Sequence, residues 1–324
     1  MGYAARLALR DAAGLAWCGE YRAESVELAG LLASLPALDS AVLTDEVGAA
    51  AAWAHVLPTG VELVTVLRPA VVHLRLSSGP IREVVVKLVR PSLDRGPIGW
   101  LRRFERSRAQ RAHLAAHRLQ AVGVMSPRPL GYLERRRAPR QHPSFCVYEH
   151  LAGHTLLEVA ATRVGPEQRM ARWDLLRQVA ELYARLHQHG IFHADLHAGN
   201  LLVTEHGLAP IDLVSLRRFS FRERAALKNL ARLNRDFLDR GALSTADRFR
   251  FLLAYLRHQS SARAQARDLF RAVHQETLAK LERYGGAFSS SPTSAYDALD
   301  VPTVPVPALV RPDDAPDPGG RGVP

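Results

Sequence analysis

The sequence predicts an α+β protein with two lobes, a small antiparallel β region followed by a helical region. Two observations predict it: β-branched runs gather between residues 61 and 89, and apolar residues recur at helical spacing in the second half. Strands first and helices after is the order of an α+β architecture.

Residues 1–57 are rich in Ala and Leu with a few acids, which predicts an N-terminal helical extension of one or two helices. Val61–Leu67, Val71–Leu76 and Glu83–Val89 are β-branched runs broken by Arg68-Pro69-Ala70 and Ser77-Ser78-Gly79-Pro80, the pattern of a three-stranded meander. Residues 99–122 read as a helix, Tyr132–Arg140 as a basic loop and Phe145–Tyr148 as a fourth strand. These elements make an N-lobe over 58–150. In the C-lobe, 151–285, Leu175, Val179, Leu182 and Leu186 fall on one helical face that ends at Gly190. Ser220-Phe221-Arg222-Glu223 has the capping-box pattern, and Leu227, Leu230, Leu233 and Phe237 follow it. Ser244-Thr245-Ala246-Asp247 starts another helix, with Phe249, Leu253 and Leu256 inward. Eight of the twenty prolines fall in 286–324, which predicts a disordered tail.

At 324 residues, 47% hydrophobic and 23% charged, the chain has the composition of a globular protein. Its net charge is +11, although the tail holds five acidic and two basic side chains, so the body is more basic still. Such a body suits an anionic partner, whether nucleic acid, anionic lipid or a phosphorylated glycan; a solvated Arg-rich surface explains the charge equally well. No nucleic-acid recognition motif accompanies it. Cys18 and Cys146 are the only cysteines and have no partner at metal-ligand spacing, which fits a reducing compartment. No uncharged run reaches the roughly 18 residues a membrane span needs. Ala12–Cys18, short and flanked by Asp11 and Glu20, does not read as a signal peptide. The expected location is the cytoplasm, with peripheral contact on the inner face of the membrane.

The chemistry concentrates in His193-Ala194-Asp195-Leu196-His197-Ala198-Gly199-Asn200 and in Ile211-Asp212-Leu213. A carboxylate, an amide five positions on and a second carboxylate seventeen positions after the first are what phosphoryl transfer requires. Asp195 can accept the proton of an attacking hydroxyl, and Asn200 and Asp212 can hold the metal that neutralises a triphosphate. Leu201-Leu202-Val203 between them reads as a short buried strand. Lys87, alone in the apolar run Val84–Val89, would face a buried surface, which is costly unless an anionic partner meets it; this makes it the candidate phosphate cation. An edge-strand lysine turned to water is the simpler alternative. His193-Ala194-Asp195-Leu196-His197 also admits a metal site with imidazole ligands, or a purely structural loop in which His193 packs inward. Asp212 can equally be a helix N-cap. Glu149-His150-Leu151-Ala152-Gly153 reads as a hinge whose backbone would hold an adenine edge, or as a plain surface turn.

Taken together, these residues resemble the protein-kinase-like superfamily, and within it the bacterial lipopolysaccharide kinases that phosphorylate Kdo or heptose of the inner core. Ser107–Arg111 running to Gly123–Leu130, Lys228–Leu233 and Arg248–Leu256 carry the resemblance to that branch over roughly residues 60–260. The resemblance implies a two-lobed kinase-like fold, ATP with Mg²⁺, and a core-sugar or anionic glycolipid acceptor. It makes Asp195 the catalytic base, Lys87 the catalytic phosphate cation, Asn200 and Asp212 the metal ligands, and Lys87, Arg68, Glu149 and Leu151 the nucleotide contacts. Three departures stand out. Leu67-Arg68-Pro69-Ala70 replaces a Gly-rich phosphate loop. The metal motif is Asp-Leu-Val. The helix position expected to hold a glutamate for Lys87 is Ala112, with Glu105 two turns earlier. A protein or small-molecule kinase of the same fold, and a nucleotide-binding pseudokinase scaffold at the envelope, are the alternatives. Arg90–Arg111, with seven Arg among Trp100, Leu101 and Phe104, reads as a docking patch for an anionic surface or as a solvated helix face.

Overall fold

The computed structural model describes residues 4–22, 26–38, 43, 45–91, 105–136, 142–162, 169–218, 222–239, 243–259 and 265–284. Most of the basic stretch between Arg90 and Arg111, the Ser220 capping box and the tail lie outside them. The chain divides into two compact units, Met1–Leu151 with Pro210–Arg217, and Ala152–Ala209 with Arg218–Pro324.

The first unit opens with β1 (Ala4–Arg10) and β2 (Ala16–Arg22), not with a helix. Ala5, Leu7 and Leu9 alternate inward against exposed Arg6, Ala8 and Arg10, so a period of two overrides the helical propensity of Ala and Leu. The turn is built by Asp11, whose Oδ1 accepts from the Ala13 and Leu15 N–H groups at 3.0 and 2.9 Å and whose Oδ2 accepts from Trp17 Nε1 at 2.9 Å. The expected helices then follow as α1 (Val26–Ser34) and α2 (Glu46–Val56), the latter capped by Asp45. Next come β3 (Val61–Arg68), β4 (Val71–Leu76), β5 (Glu83–Val89), α3 (Arg108–Ala121), β6 (Pro129–Arg135) and β7 (Ser144–Glu149). The loop expected over Tyr132–Arg140 is therefore corrected at its start. Pro129–Arg135 is a strand, buried through Glu134, and the arginines that suggested a loop begin only at its last residue, Arg135.

The seven strands form one antiparallel sheet in the order β1-β2-β6-β7-β5-β4-β3. Gly19 lets β2 and β6 meet: a Cβ there would stand 2.1 Å from the Tyr132 carbonyl oxygen. Leu28, Leu31, Leu32, Leu35 and Trp53 pack with Val72, Leu74, Val84 and Val86 in a single core. The first 57 residues thus supply both strands and core to this unit.

In the second unit, β8 (His154–Thr155) pairs with β10 (Leu201–Thr204), which pairs in turn with β11 (Gly207–Pro210); β9 (Ile191–His193) precedes them. A Cβ at Gly153 would lie 2.6 Å from the Val203 carbonyl oxygen, so the approach to β8 needs glycine. The helices are α4 (Leu156–Thr162), α5 (Arg169–Gln188), α6 (Arg222–Asp239), α7 (Thr245–His258) and α8 (Ala266–Tyr284). Leu175, Val179, Leu182 and Leu186 are buried as expected, and Gly190 ends that segment at φ +64°. Ser244 and Asp247 form the capping box of α7. The buried face of α7 is Phe251, Leu252, Tyr255 and Leu256, so the expected inward Phe249 and Leu253 sit half-buried at its margin. No described helix is long and apolar enough to cross a membrane.

Candidate active site

Sequence-predicted site residues fall in both units. In the first, Lys87 sits on β5 with the burial alternation expected of a strand buried on one face: Val84, Val86 and Leu88 are in the core, while Glu83, Val85 and Lys87 share the other, half-exposed face. Its Nζ donates to Asp212 Oδ1 at 2.5 Å, each side chain about one-quarter exposed at 25% and 24%. Lysine and metal-type aspartate, 125 residues apart in sequence, are thus brought together. An ion pair answers the question that Ala112 raised. That residue, 1% exposed on α3, carries no charge, and Asp212 is the carboxylate on the lysine.

Asp212 adopts φ 56° and ψ 52°, the one left-handed non-glycine among the described residues. Aspartate tolerates that conformation better than a branched residue, at a strain on the order of 1–3 kcal/mol. It occupies the N-cap position of a short 3-10 turn, yet its side chain makes no capping bond there. The N-cap alternative for its carboxylate therefore falls away. Ser215 Oγ donates to Oδ2 at 3.5 Å, at the long limit of a hydrogen bond.

Arg68 is exposed at the end of β3, opposite Val71, which is itself opposite Lys87 on the next strand. Two strand spacings separate Arg68 from Lys87, roughly 10 Å. The intervening Pro69-Ala70 turn replaces a Gly-rich loop with a tight hairpin tied on both sides. Pro69 O accepts from Trp53 Nε1 at 3.1 Å and Ala70 O from the Leu88 N–H at 2.8 Å. Trp53 is fully buried, so α2 fixes the turn beside the lysine strand.

Glu149 ends β7 and Leu151 is the last residue of this unit before the chain crosses to the second. The Glu149 N–H donates to Arg128 O at 2.9 Å and the His150 N–H to Glu83 O at 3.0 Å. The proposed adenine-holding segment thus continues sheet hydrogen bonding through His150. Those two amides are committed within the protein.

In the second unit the His193–Asn200 loop is built around its backbone. His193 is fully buried and its Nδ1 accepts from the Asp195 N–H at 3.2 Å, the inward structural role. Asn200, 5% exposed, donates from Nδ2 to the Asp195 carbonyl oxygen at 2.8 Å. Its Oδ1 is then the atom suited to a hard cation. His197 Nδ1 accepts from the Gly199 N–H at 3.1 Å, and the ring's Nε2 stands 3.7 Å from Asp195 Oδ2. The Asp195 side chain is 53% exposed.

Three residues to which the sequence assigned no role hold this loop, all from one face of α6, two of them within the Lys228–Leu233 stretch. Asn229 Nδ2 donates to His193 O at 2.7 Å, Arg232 donates to Ala194 O with its Nε 3.5 Å from Asp195 Oδ1, and Asp236 Oδ2 accepts from the Ala198 N–H at 2.7 Å. Their spacing of three and then four residues is the signal available in sequence: polar residues on the face that Leu230, Leu233 and Phe237 flank. Behind Asn229 lies a buried relay. Asn229 Oδ1 stands 3.2 Å from His187 Nε2, and His187 Nδ1 is 2.9 Å from the Tyr255 hydroxyl. Because Asn229 uses its amide nitrogen on His193 O, the network places the His187 proton on Nε2 and makes Nδ1 the acceptor.

Burial holds His187 near a pKa of about 4, against an ordinary 6.5. Above pH 6.5 folded and unfolded chains both carry it neutral. Between 6.5 and about 4 the unfolded chain binds a proton that the folded chain refuses, so stability falls as pH falls, by on the order of 3 kcal/mol for a group shifted this far. His113, buried in the first unit, is pushed down to about 4 for the same reason and adds to the trend. Thermal midpoints should therefore drop between pH 6.5 and 4. His187→Gln, which keeps one donor and one acceptor, should flatten that slope in calorimetric scans without removing it.

The first unit thus holds a lysine–aspartate pair beside a hairpin turn, and the second an exposed aspartate on a loop braced by asparagine. Residues 99–255 match the model of the Lipopolysaccharide kinase (Kdo/WaaP) family, a family of kinases. It is similar to the solved structure of WaaP in complex with acyl carrier protein, at 27% identity over 67% of this chain and 84% of that one, with a TM-score of 0.48. It is also similar to a point mutant of the Mycobacterium tuberculosis PknI kinase domain, at 17% identity over 67% of this chain and 96% of that one, with a TM-score of 0.40. No curated protein matches.

Proposed function

We propose that the protein transfers the γ-phosphoryl group of ATP to a sugar hydroxyl, Kdo or heptose, of the lipopolysaccharide inner core. Asp195 takes the hydroxyl proton as the sugar oxygen bonds to the γ-phosphorus and the bond to the ADP oxygen breaks. Lys87 and Arg68 meet the phosphates, while Glu149 and Leu151 contact the base. Asp212 and Asn200 supply hard oxygen ligands of the kind Mg²⁺ takes; the ion, when bound, would draw charge off the phosphoryl oxygens.

The observation that carries this reading is the contrast between two carboxylates. Asp212 is tied to an ammonium at 2.5 Å, the environment of an electrostatic residue. Asp195 is half-exposed on a loop whose anchors are backbone atoms, the environment of a group that meets an incoming substrate. The net charge of +11 suits an acidic glycolipid and peripheral residence at the cytoplasmic face of the inner membrane. The test is an acceptor panel. With γ-labelled ATP, delipidated core oligosaccharide should take label and casein should not. Label in casein alone would transfer the assignment to protein substrates, and label in neither would favour a scaffold.

A further inference from the structure

The sheet face that carries Lys87 carries a second set of ligand-type atoms. Glu83 lies four residues before Lys87 on β5, hence on the same face and roughly 13 Å away along the strand. His73 on β4 is opposite Val85, the residue between them on that face. His150 follows β7. Glu83 Oε2 is 3.2 Å from His73 Nε2 and 3.3 Å from His150 Nδ1, and the three ligand atoms lie within 4.8 Å of one another. His73 is 8% exposed and the other two are half-buried. Arg75 Nη2 stands 3.4 Å from the other carboxylate oxygen, Oε1, and so orients the carboxylate with Oε2 toward the imidazoles.

Two nitrogens and one carboxylate oxygen are a donor set that zinc takes in open sites, with a fourth position for water or another ligand. Metal–ligand bonds of about 2.0–2.1 Å at tetrahedral angles put ligand atoms about 3.3 Å apart. The two Glu–His separations already have that value.

We propose that His73, Glu83 and His150 form a binding site for one divalent transition-metal ion of the zinc class. The imidazoles are stacked, with centroids 3.9 Å apart and planes 13° from parallel. Parallel rings do not aim their lone pairs at one point, so capture requires the His150 ring, on the segment leaving β7, to turn while His73 stays in the sheet. A bound ion clamps β4, β5 and the segment after β7 together. Since His150 lies between Glu149 and Leu151, the ion would also set the stiffness of the nucleotide-contacting segment; this consequence rests on the function proposed above, whereas ion binding does not.

The test uses the full chain, stripped with chelator and free of nucleotide. Co²⁺ is followed by its visible absorption, and Zn²⁺ by competition with a chromophoric chelator. One ion per chain is expected, with a tetrahedral cobalt spectrum and a thermal midpoint raised by zinc. Glu83→Gln and His150→Gln should each weaken binding at least tenfold. His117→Gln should not, although His113 and His117 are another close imidazole pair, with Nε2 atoms 3.3 Å apart. Zinc affinity equal in wild type and both site variants, or affinity lost with His117→Gln, overturns the assignment. Because no nucleotide is present, a failed kinase reading leaves the outcome unaffected.

Discussion

Asp195→Asn is expected to lower kcat about 10³-fold while ATP affinity stays within a few-fold of wild type, since a positioned general base contributes about 10²–10⁴ to such a step. The substitution tests chemistry rather than folding. Asn200 is anchored by the carbonyl oxygen of residue 195 and His193 by its N–H, and both survive the change. What the carboxylate itself touches is Arg232, at 3.5 Å, and His197, at 3.7 Å, neither close enough for a strong pair. Steady-state transfer and equilibrium nucleotide binding measured on the same preparation separate the two effects. A base with no structural duty loses kcat alone; a loop that collapses loses both.

Lys87→Met should cost about 10²–10³ in kcat/KM, the scale for deleting one preorganised electrostatic partner. It differs from Asp195→Asn in kind. Asp212 loses the ammonium 2.5 Å away and is left partly buried in a left-handed conformation, so the variant weakens nucleotide binding as well as turnover. Asp212→Asn should reproduce the binding defect and, unlike Lys87→Met, remove its dependence on Mg²⁺. Isothermal titration with ATP, with and without the ion, distinguishes these. Lys87→Met with unchanged ATP affinity would mean that the pair serves the fold and not the nucleotide.

The parts legible in sequence are those where local chemistry and tertiary structure agree. β3, β4, β5 and β7 are β-branched runs bounded by turn residues, and α5 and α7 have the period, caps and terminator of helices. The HxDxHxGN segment stands out because the reaction proposed for it, phosphoryl transfer, constrains residue type and spacing together. The β1–β2 hairpin did not, because Ala-Arg-Leu-Ala-Leu-Arg satisfies helical propensity and strand alternation at once, and only pairing with β6 decides between them. Arginines after Leu133 masked β6 in the same way. Asn229, Arg232 and Asp236 stayed hidden for a different reason. Their partners are backbone atoms of a loop some forty residues earlier, and hydrogen bonding to backbone leaves no mark on the partner's residue type. His73 and Glu83 look like ordinary strand residues until pairing places His150 beside them.

The most direct measurement is label transfer from γ-labelled ATP to purified inner-core oligosaccharide, run with wild type and Asp195→Asn side by side in Mg²⁺. Label on a Kdo or heptose hydroxyl from wild type, with the variant near background but still binding ATP, is the predicted result. Equal labelling by the two proteins would contradict it, because the sugar's proton would then be leaving by some route other than Asp195.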